Sequence, residues 1–246
     1  VTTLFISDLH LDASRPHITQ LFVTFVREEA SQASALYILG DLFEAWIGDD
    51  AHDETAEQVA TALAGLHAYG VPTFFIHGNR DFLLGDAYAR RARMTLLPDG
   101  SVIEIGGERV LLMHGDTLCT DDVPYQAFRV QSHTPEWQRA FLARPLEERR
   151  AFAAQARAES QRYTRSVGDA ITDVNADAVA ATLRAHGVRR LVHGHTHRPA
   201  QHRLDLDGTP AERIVLGDWY EQGSVVRFAS ACEAALETLP RAPRGR

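Results

Sequence analysis

Five stretches of the chain share one pattern, a short apolar run that ends in glycine, aspartate, asparagine or histidine. They are TTLFISD at 2–8, ALYILGD at 35–41, TFFIHGN at 73–79, RVLLMHGD at 109–116 and RLVHGH at 190–195. Runs this short, rich in β-branched and aromatic residues and bounded by turn formers, predict buried strands. Between the first two lies HITQLFVTFVREEA, where Ile18, Leu21, Phe22, Phe25 and Val26 follow the spacing of a helix with one apolar face. A second helix fits ETAEQVATALAGLHAYG, which stops at Gly70 ahead of Pro72. Strands alternating with helices predict an α/β layered fold, and the polar residues fall where such folds gather ligands, beyond the carboxyl ends of the strands. SVIEIGGERVLLMH predicts a hairpin turning at Gly106-Gly107, and QHRLDLDGTPAERIVLG one turning near Asp207-Gly208, so the sheets should be mixed.

Length and composition narrow this. With 246 residues and 45% hydrophobic content, the chain can bury a large core. We expect one domain over 1–240, with an insertion at about 123–165 and a disordered polar tail, RAPRGR, at 241–246. A formal charge of −8 disfavours a nucleic-acid partner. Cys119 and Cys232 are too few for a disulfide framework or a thiolate zinc site. No apolar run is long enough to span a bilayer, and VTTLFISDLH lacks the basic flank of a secretory signal, which predicts a cytoplasmic protein. The insertion is helical in pattern and basic: Glu136 to Arg165 holds seven arginines and four glutamates, a net of +3. It reads either as a solvated helical face or as a cap over an anionic, partly apolar ligand, with Tyr125, Phe128, Trp137, Phe141 and Phe152 nearby.

The strand ends carry the chemistry. In an extended segment, residues i and i+2 project alike, so Asp8 with His10, and His195 with His197, can each face one point. Adding Asp41, Asn79 and His114 gives seven carboxylate, amide and imidazole ligands without a thiolate, a set suited to Mn, Fe or Zn in a catalytic site. Two ions about 3.5–4 Å apart, bridged by a carboxylate, activate water at neutral pH. Asp41 is our choice of bridge. Of the other polar residues, His77 and His193 precede motif glycines and read as core or supporting groups. Asp81 and Asp116 could orient Arg80 or an imidazole, or cap a turn, while Asp49, Asp50, Asp53 and Asp121 read as polar loop residues.

In that order, SDLH, GD, GNRD, HGD and GHTH resemble the motifs of the calcineurin-like metallophosphoesterases. The resemblance implies two mixed β-sheets flanked by helices. It also implies one metal on Asp8, His10, Asp41 and His197, and another on Asp41, Asn79, His114 and His195. Where many relatives have GNH, this chain has GNRD. Arg80 cannot protonate a leaving group at neutral pH, but it can clamp phosphate oxygens, which suits a diphosphate substrate. The closer resemblance is to the UDP-2,3-diacylglucosamine pyrophosphatase family of the lipid A pathway, through YILGDLFEAWIGDD, GNRDFLLG, MHGDTLCTDD, HGHTHRPA, LGDWYEQGS, YQAFR and AESQRYTR. It implies hydrolysis at the α-phosphorus to UMP and 2,3-diacylglucosamine 1-phosphate, two divalent ions (commonly Mn2+) and a lipid-facing cap. A lipid substrate and the arginine-rich insertion together lead us to expect a monomer held peripherally on the cytoplasmic face of the inner membrane. The resemblance further implies a catalytic set of Asp41, Asn79, Arg80 and His195, and substrate contacts from Asn79, Arg80, Asp122, Ser160, Thr164 and His195. Relatives can carry lysine where this chain has Val167, with Arg162 or Arg165 as replacements. The competing expectations are another two-metal phosphoesterase, acting on nucleotides or phosphoproteins, and a metal-binding scaffold without activity.

Overall fold

The computed structural model describes residues 2–51, 53–167, 171–229 and 233–241, the side chains of Thr164 and Arg241 excepted; His52 and the tail at 242–246 lie outside them. All five predicted strands form, as β1 (Thr3–Ile6), β2 (Ala35–Leu39), β3 (Thr73–Ile76), β6 (Glu108–Leu112) and β7 (Arg190–His193). Both hairpins form as well, β5 (Ser101–Ile105) with β6, and β8 (Ala200–Leu206) with β9 (Thr209–Val215). The pattern did not reveal β4 (Met94–Leu97), β10 (Gln222–Phe228) or β11 (Ala234–Arg241). These extend one sheet in the order β11-β10-β1-β2-β3-β4, parallel from β1 to β4 and antiparallel at β10 and β11. The other sheet runs β5-β6-β7-β9-β8, with β6, β7 and β9 parallel.

The sheets face one another, and strand alternation explains why the runs are apolar throughout. Phe5, Leu39 and Ile76 of the first sheet meet Val110, Leu112, Val192 and Ile214 of the second. Their neighbours Leu4, Ile6, Ile38 and Phe75 point the other way, into helices α1 (Pro16–Glu28), α2 (Glu54–Leu66) and α3 (Asp86–Ala92). With both faces covered, a strand needs no polar side. Pro16 starts α1, where its missing N–H costs nothing, and Ile18, Phe22, Phe25 and Val26 are its buried stripe. α2 starts on Asp53, whose carboxylate accepts the Ala56 N–H at 2.7 Å, and its C-terminal turn ends at Gly70 with φ of 73°. The outer face of the second sheet packs on α7 (Ala176–His186) through Val179 and Leu183.

Between β6 and β7 the segment read as inserted forms three helices, α4 (Val123–Ser132), α5 (Pro135–Leu142) and α6 (Leu146–Ser166). They return to the core through aromatics. Phe141 is buried, and the Trp137 ring stacks on it at 4.9 Å and lies tilted to Phe152 at 6.0 Å. Arg149 ties α6 to the β2–α2 loop, donating to the Asp50 carboxylate and the Ile47 carbonyl. Residues taken for plain loop polarity are therefore anchors. Asp49 accepts N–H groups from the Trp46 indole, Gly85 and Tyr88 at 3.0, 2.8 and 3.0 Å, and Asp121 accepts from the Asn175 amide.

Candidate active site

The five strand ends converge on one edge of the sheet sandwich, but not through extended backbone. Asp8, His10, Asp41, His195 and His197 have φ of 57, 49, 52, 68 and 55°, all in the left-handed region. The expected i, i+2 projection from an extended segment is thus corrected. Asp8 and His10, both left-handed with the wholly buried Leu9 between them, aim at one point, whereas His197 joins that group and His195 turns to Asn79 instead. Non-glycine residues rarely adopt this conformation, and it collects at functional sites where surrounding bonds enforce it. Here those bonds are Asp8 N–H to the Gly40 carbonyl, His10 N–H to the Asp41 carbonyl and His195 N–H to Asp8 Oδ2.

The side chains form a compact set. Ligand atoms of Asp8, His10 and His197 lie within 4.8 Å of one another, as do those of Asp8, Asp41 and His114. Asp41 Oδ2 stands 3.8 Å from His10 Nε2 and 3.7 Å from His114 Nε2, so one oxygen reaches a histidine of each expected set. The Asn79 amide oxygen lies 3.0 Å from both His114 Nε2 and His195 Nδ1. His193 stays apart, bonded to the Gly194 carbonyl and Arg213, and His77 faces the Leu84 carbonyl at 2.7 Å.

Metal ions fit these residues. Asp8 Oδ1 is buried without a hydrogen-bond partner, and His10 Nε2 faces His197 Nε2 at 3.2 Å. Burial pushes the Asp41 carboxyl up to about 7, while Asp41 and Asp8 outweigh the effect of burial on His114 and raise it to about 9. That buried pair thus holds a proton at neutral pH that a cation would displace. Burial lowers His195 to about 4, leaving a neutral imidazole.

The motif glycines let the loops approach this closely. A β-carbon on Gly194 would overlap Asp8 Oδ2 and Ser7 Oγ, and one on Gly78 would overlap the Asp41 carboxylate and amide. Gly194→Ala should therefore lose about 1–3 kcal/mol of stability and displace Asp8. A melting curve measured beside a Mn2+ titration checks this; an unchanged melting temperature with normal metal uptake would contradict it.

Of the two roles read for Asp81 and Asp116, Asp81 takes the capping one, while Asp116 anchors a helix. Asp81 touches no imidazole and accepts only backbone N–H groups among its described bonds, from Asp41, Leu42, Phe43 and Gly78. Asp116 accepts Arg129 Nε–H at 2.6 Å and the Tyr125 hydroxyl, so it ties α4 to the β6 loop.

A cavity of about 570 Å3 opens beside the cluster. Its lining combines polar residues, Asn79, Arg80, Asp122, Tyr125 and Ser160 among them, with the apolar Phe82, Leu83, Phe128, Trp137, Phe141 and Phe152. Asp122 also caps α4, accepting the Tyr125 N–H at 3.1 Å. Thr164 falls on α6, but its side chain is outside the described residues. Val167 is extended just past the helix, and Arg162 and Arg165 are exposed and do not line the cavity. Arg157, which the sequence did not single out, does line it and pairs with buried Glu44.

Residues 1–199 match the family described as calcineurin-like phosphoesterase. The chain is 57% identical to a UDP-2,3-diacylglucosamine hydrolase of Stenotrophomonas maltophilia (strain R551-3), over 98% of this chain and 100% of that one. It is 55% identical to a protein of the same name from Xanthomonas axonopodis pv. citri (strain 306), over 97% and 99% respectively. Among solved structures it aligns with the phosphoesterase Yfce from E. coli at 14% identity and a TM-score of 0.45, covering 98% of this chain and 100% of that one.

Proposed function

Because the chain belongs to the calcineurin-like phosphoesterase family, we infer that it is a metal-dependent hydrolase that splits UDP-2,3-diacylglucosamine into UMP and 2,3-diacylglucosamine 1-phosphate in lipid A biosynthesis. The observation that carries this is the junction of two unlike sites, a cluster of metal-ligand residues and an aromatic cavity whose lining includes Asn79 and Arg80. A diphosphate joining a polar nucleotide to an acylated sugar matches that junction, with the acyl chains among Trp137, Phe141 and Phe152 and the pyrophosphate over the cluster. Neither a nucleotide alone nor a phosphoprotein would use the apolar lining. A scaffold role is opposed by the full set of seven ligand residues.

Asp8, His10, Asp41 and His197 would hold one divalent ion, and Asp41, Asn79, His114 and His195 the other. Bound there, two such ions supply Lewis-acid polarisation of the phosphoryl oxygens and activation of water. The chain's own residues do the rest. The Arg80 guanidinium neutralises charge growing on the diphosphate, while its backbone N–H, 2.8 Å from Asp41 Oδ1, fixes the bridging carboxylate. Arg80 keeps its proton, so the departing phosphate leaves as an anion with little need of an acid. Neutral His195 offers an imidazole without adding charge repulsion against the cations. Asp122 and Ser160 orient the sugar, with Thr164 the expected third contact.

The ligand set suits Mn, Fe or Zn, and the family resemblance favours Mn2+ among them as the working metal. We read α4 to α6 as a cap on a single-domain monomer, acting on the cytoplasmic face of the inner membrane. Among the described residues no helix is long and apolar enough to cross a membrane. Exposed Val123 and Val130 on α4, close to an arginine-rich α6, support peripheral contact with anionic lipid.

The test is hydrolysis in water enriched in heavy oxygen, with product identification. Label in UMP locates the attack at the α-phosphorus; label in the sugar phosphate, or no Mn2+-dependent turnover, would sink the mechanism. UDP-N-acetylglucosamine should react at least about 10²-fold more slowly, since even four buried methylenes at about 0.8 kcal/mol each contribute that much. Equal turnover of the two substrates would remove the lipid assignment.

A further inference from the structure

The LGDWYEQGS stretch has had no role so far, and neither has the buried Glu44 carboxylate. Both stand behind histidines assigned to the first ion. His10 and His197 turn their Nε2 atoms toward Asp8 and Asp41, and their Nδ1 atoms away. Asp218 Oδ2 lies 3.5 Å from His197 Nδ1, and Glu44 Oε2 lies 3.8 Å from His10 Nδ1. We propose that Asp218 and Glu44 are positioning residues that make the first ion's site the tighter of the two. This rests on the two-metal reading above.

Ligation through Nε2 leaves the imidazole proton on Nδ1, and a carboxylate facing that proton fixes the ring and makes the ligating nitrogen more basic. Among the described residues no such arrangement is recorded at the second site. His114 turns Nε2 and His195 turns Nδ1 toward Asn79 Oδ1, itself an expected ligand, and the outer nitrogen of His114 meets only the neutral Leu39 carbonyl at 2.8 Å. Asp116, whose charge also acts on His114 and His195, is bonded to Arg129 and Tyr125.

Asp218 is held rigidly. Trp219, wholly buried against Phe22 and Phe25, donates its backbone N–H to the Asp8 carbonyl at 3.0 Å and its indole N–H to the Ser224 carbonyl at 3.2 Å. Gly217 N–H reaches Ser224 Oγ at 2.9 Å, and Tyr220 N–H returns to Asp218 Oδ1 at 3.0 Å. The Tyr220 ring then lies parallel to His10, 5.1 Å between centroids and 8° between planes. Glu44 is bound to Arg15 at 3.0 Å and to Arg157, so it shares its charge and its replacement should matter less.

The full chain, stripped with a chelator, would be titrated with Mn2+ by calorimetry and by electron paramagnetic resonance. The wild type should bind two ions in separate steps. Asp218→Asn should weaken the tighter step by about 10–100-fold and leave the weaker one in place. Glu44→Gln should shift the same step less. Asp218 is partly exposed and its replacement is isosteric, so that variant reports even if Glu44→Gln fails to fold. Two normal steps in the wild type with an unchanged tight step in Asp218→Asn would overturn this inference alone, as would equal weakening of both steps. A wild type that takes up no Mn2+ would overturn it together with the two-metal reading.

Discussion

The Asp41→Asn protein is expected to lose at least about 10³-fold in kcat/KM while remaining folded, because the replaced oxygen is the one the two proposed metal sites would share. Oδ2 of Asp41 is nearly equidistant from His10 and His114, and an amide NH2 there would present hydrogens where both ions need a lone pair. Oδ1 would survive as the carbonyl that accepts the Arg80 N–H. Asparagine also tolerates the left-handed backbone at φ of 52°. Burial already pushes the Asp41 carboxyl up to about 7, so removing its charge takes little from the metal-free fold. Circular dichroism and melting should therefore match the wild type while Mn2+ binding and turnover fall together. Activity close to wild type would remove Asp41 from the bridging role, and a large fall in melting temperature would make the activity loss uninformative about the metals.

The same residue shows how far the chain can be read from its letters. The strands were legible because runs such as ALYIL are buried on both faces and therefore apolar throughout. The ligand residues were legible because each run stops at a polar residue that a sheet interior would not tolerate. The backbone that aims them was not: φ leaves no mark when the residue is aspartate or histidine, and only the neighbouring glycines hinted at crowding. β10 and β11 escaped because QGSVVRF and AALETLPR do not end in a polar motif, although β10 lies inside the sheet between β11 and β1. Glu44 and Asp218 were hidden for another reason. Their value depends on which imidazole nitrogen they face, and that is fixed by contacts between residues far apart in sequence, His10 with Glu44 and His197 with Asp218. Asp49 and Asp81 illustrate the converse, acidic residues in polar loops that turn out to bind backbone N–H groups instead of water.

Asp81→Ala should be the most destabilising single change near the site. The Asp81 carboxylate has no solvent exposure and accepts the N–H groups of Leu42 at 2.7 Å, Gly78 at 2.9 Å and Asp41 at 3.2 Å, with Phe43 at 3.4 Å. It therefore staples the loop after β2 to the loop after β3, the two that deliver Asp41 and Asn79. Burial pushes its carboxyl up against the opposing pull of the Gly78 N–H and of the His77 and His114 rings, so this set of donors is a main support of the anion. Without it, buried N–H groups are left unsatisfied at about 1–3 kcal/mol each, and partial relaxation puts the total near 3–5 kcal/mol. For a chain of this size that lowers Tm by about 10 °C. Asp81→Asn keeps one acceptor oxygen but turns an NH2 toward another donor, so it should recover only part of the loss. Turnover should fall in both variants even below their melting transitions, because Asp41 and Asn79 lose their common register. Thermal unfolding of the three proteins, read beside Mn2+ titrations, decides it. An Asp81→Ala protein that melts with the wild type would mean that the two loops are held by the sheet alone.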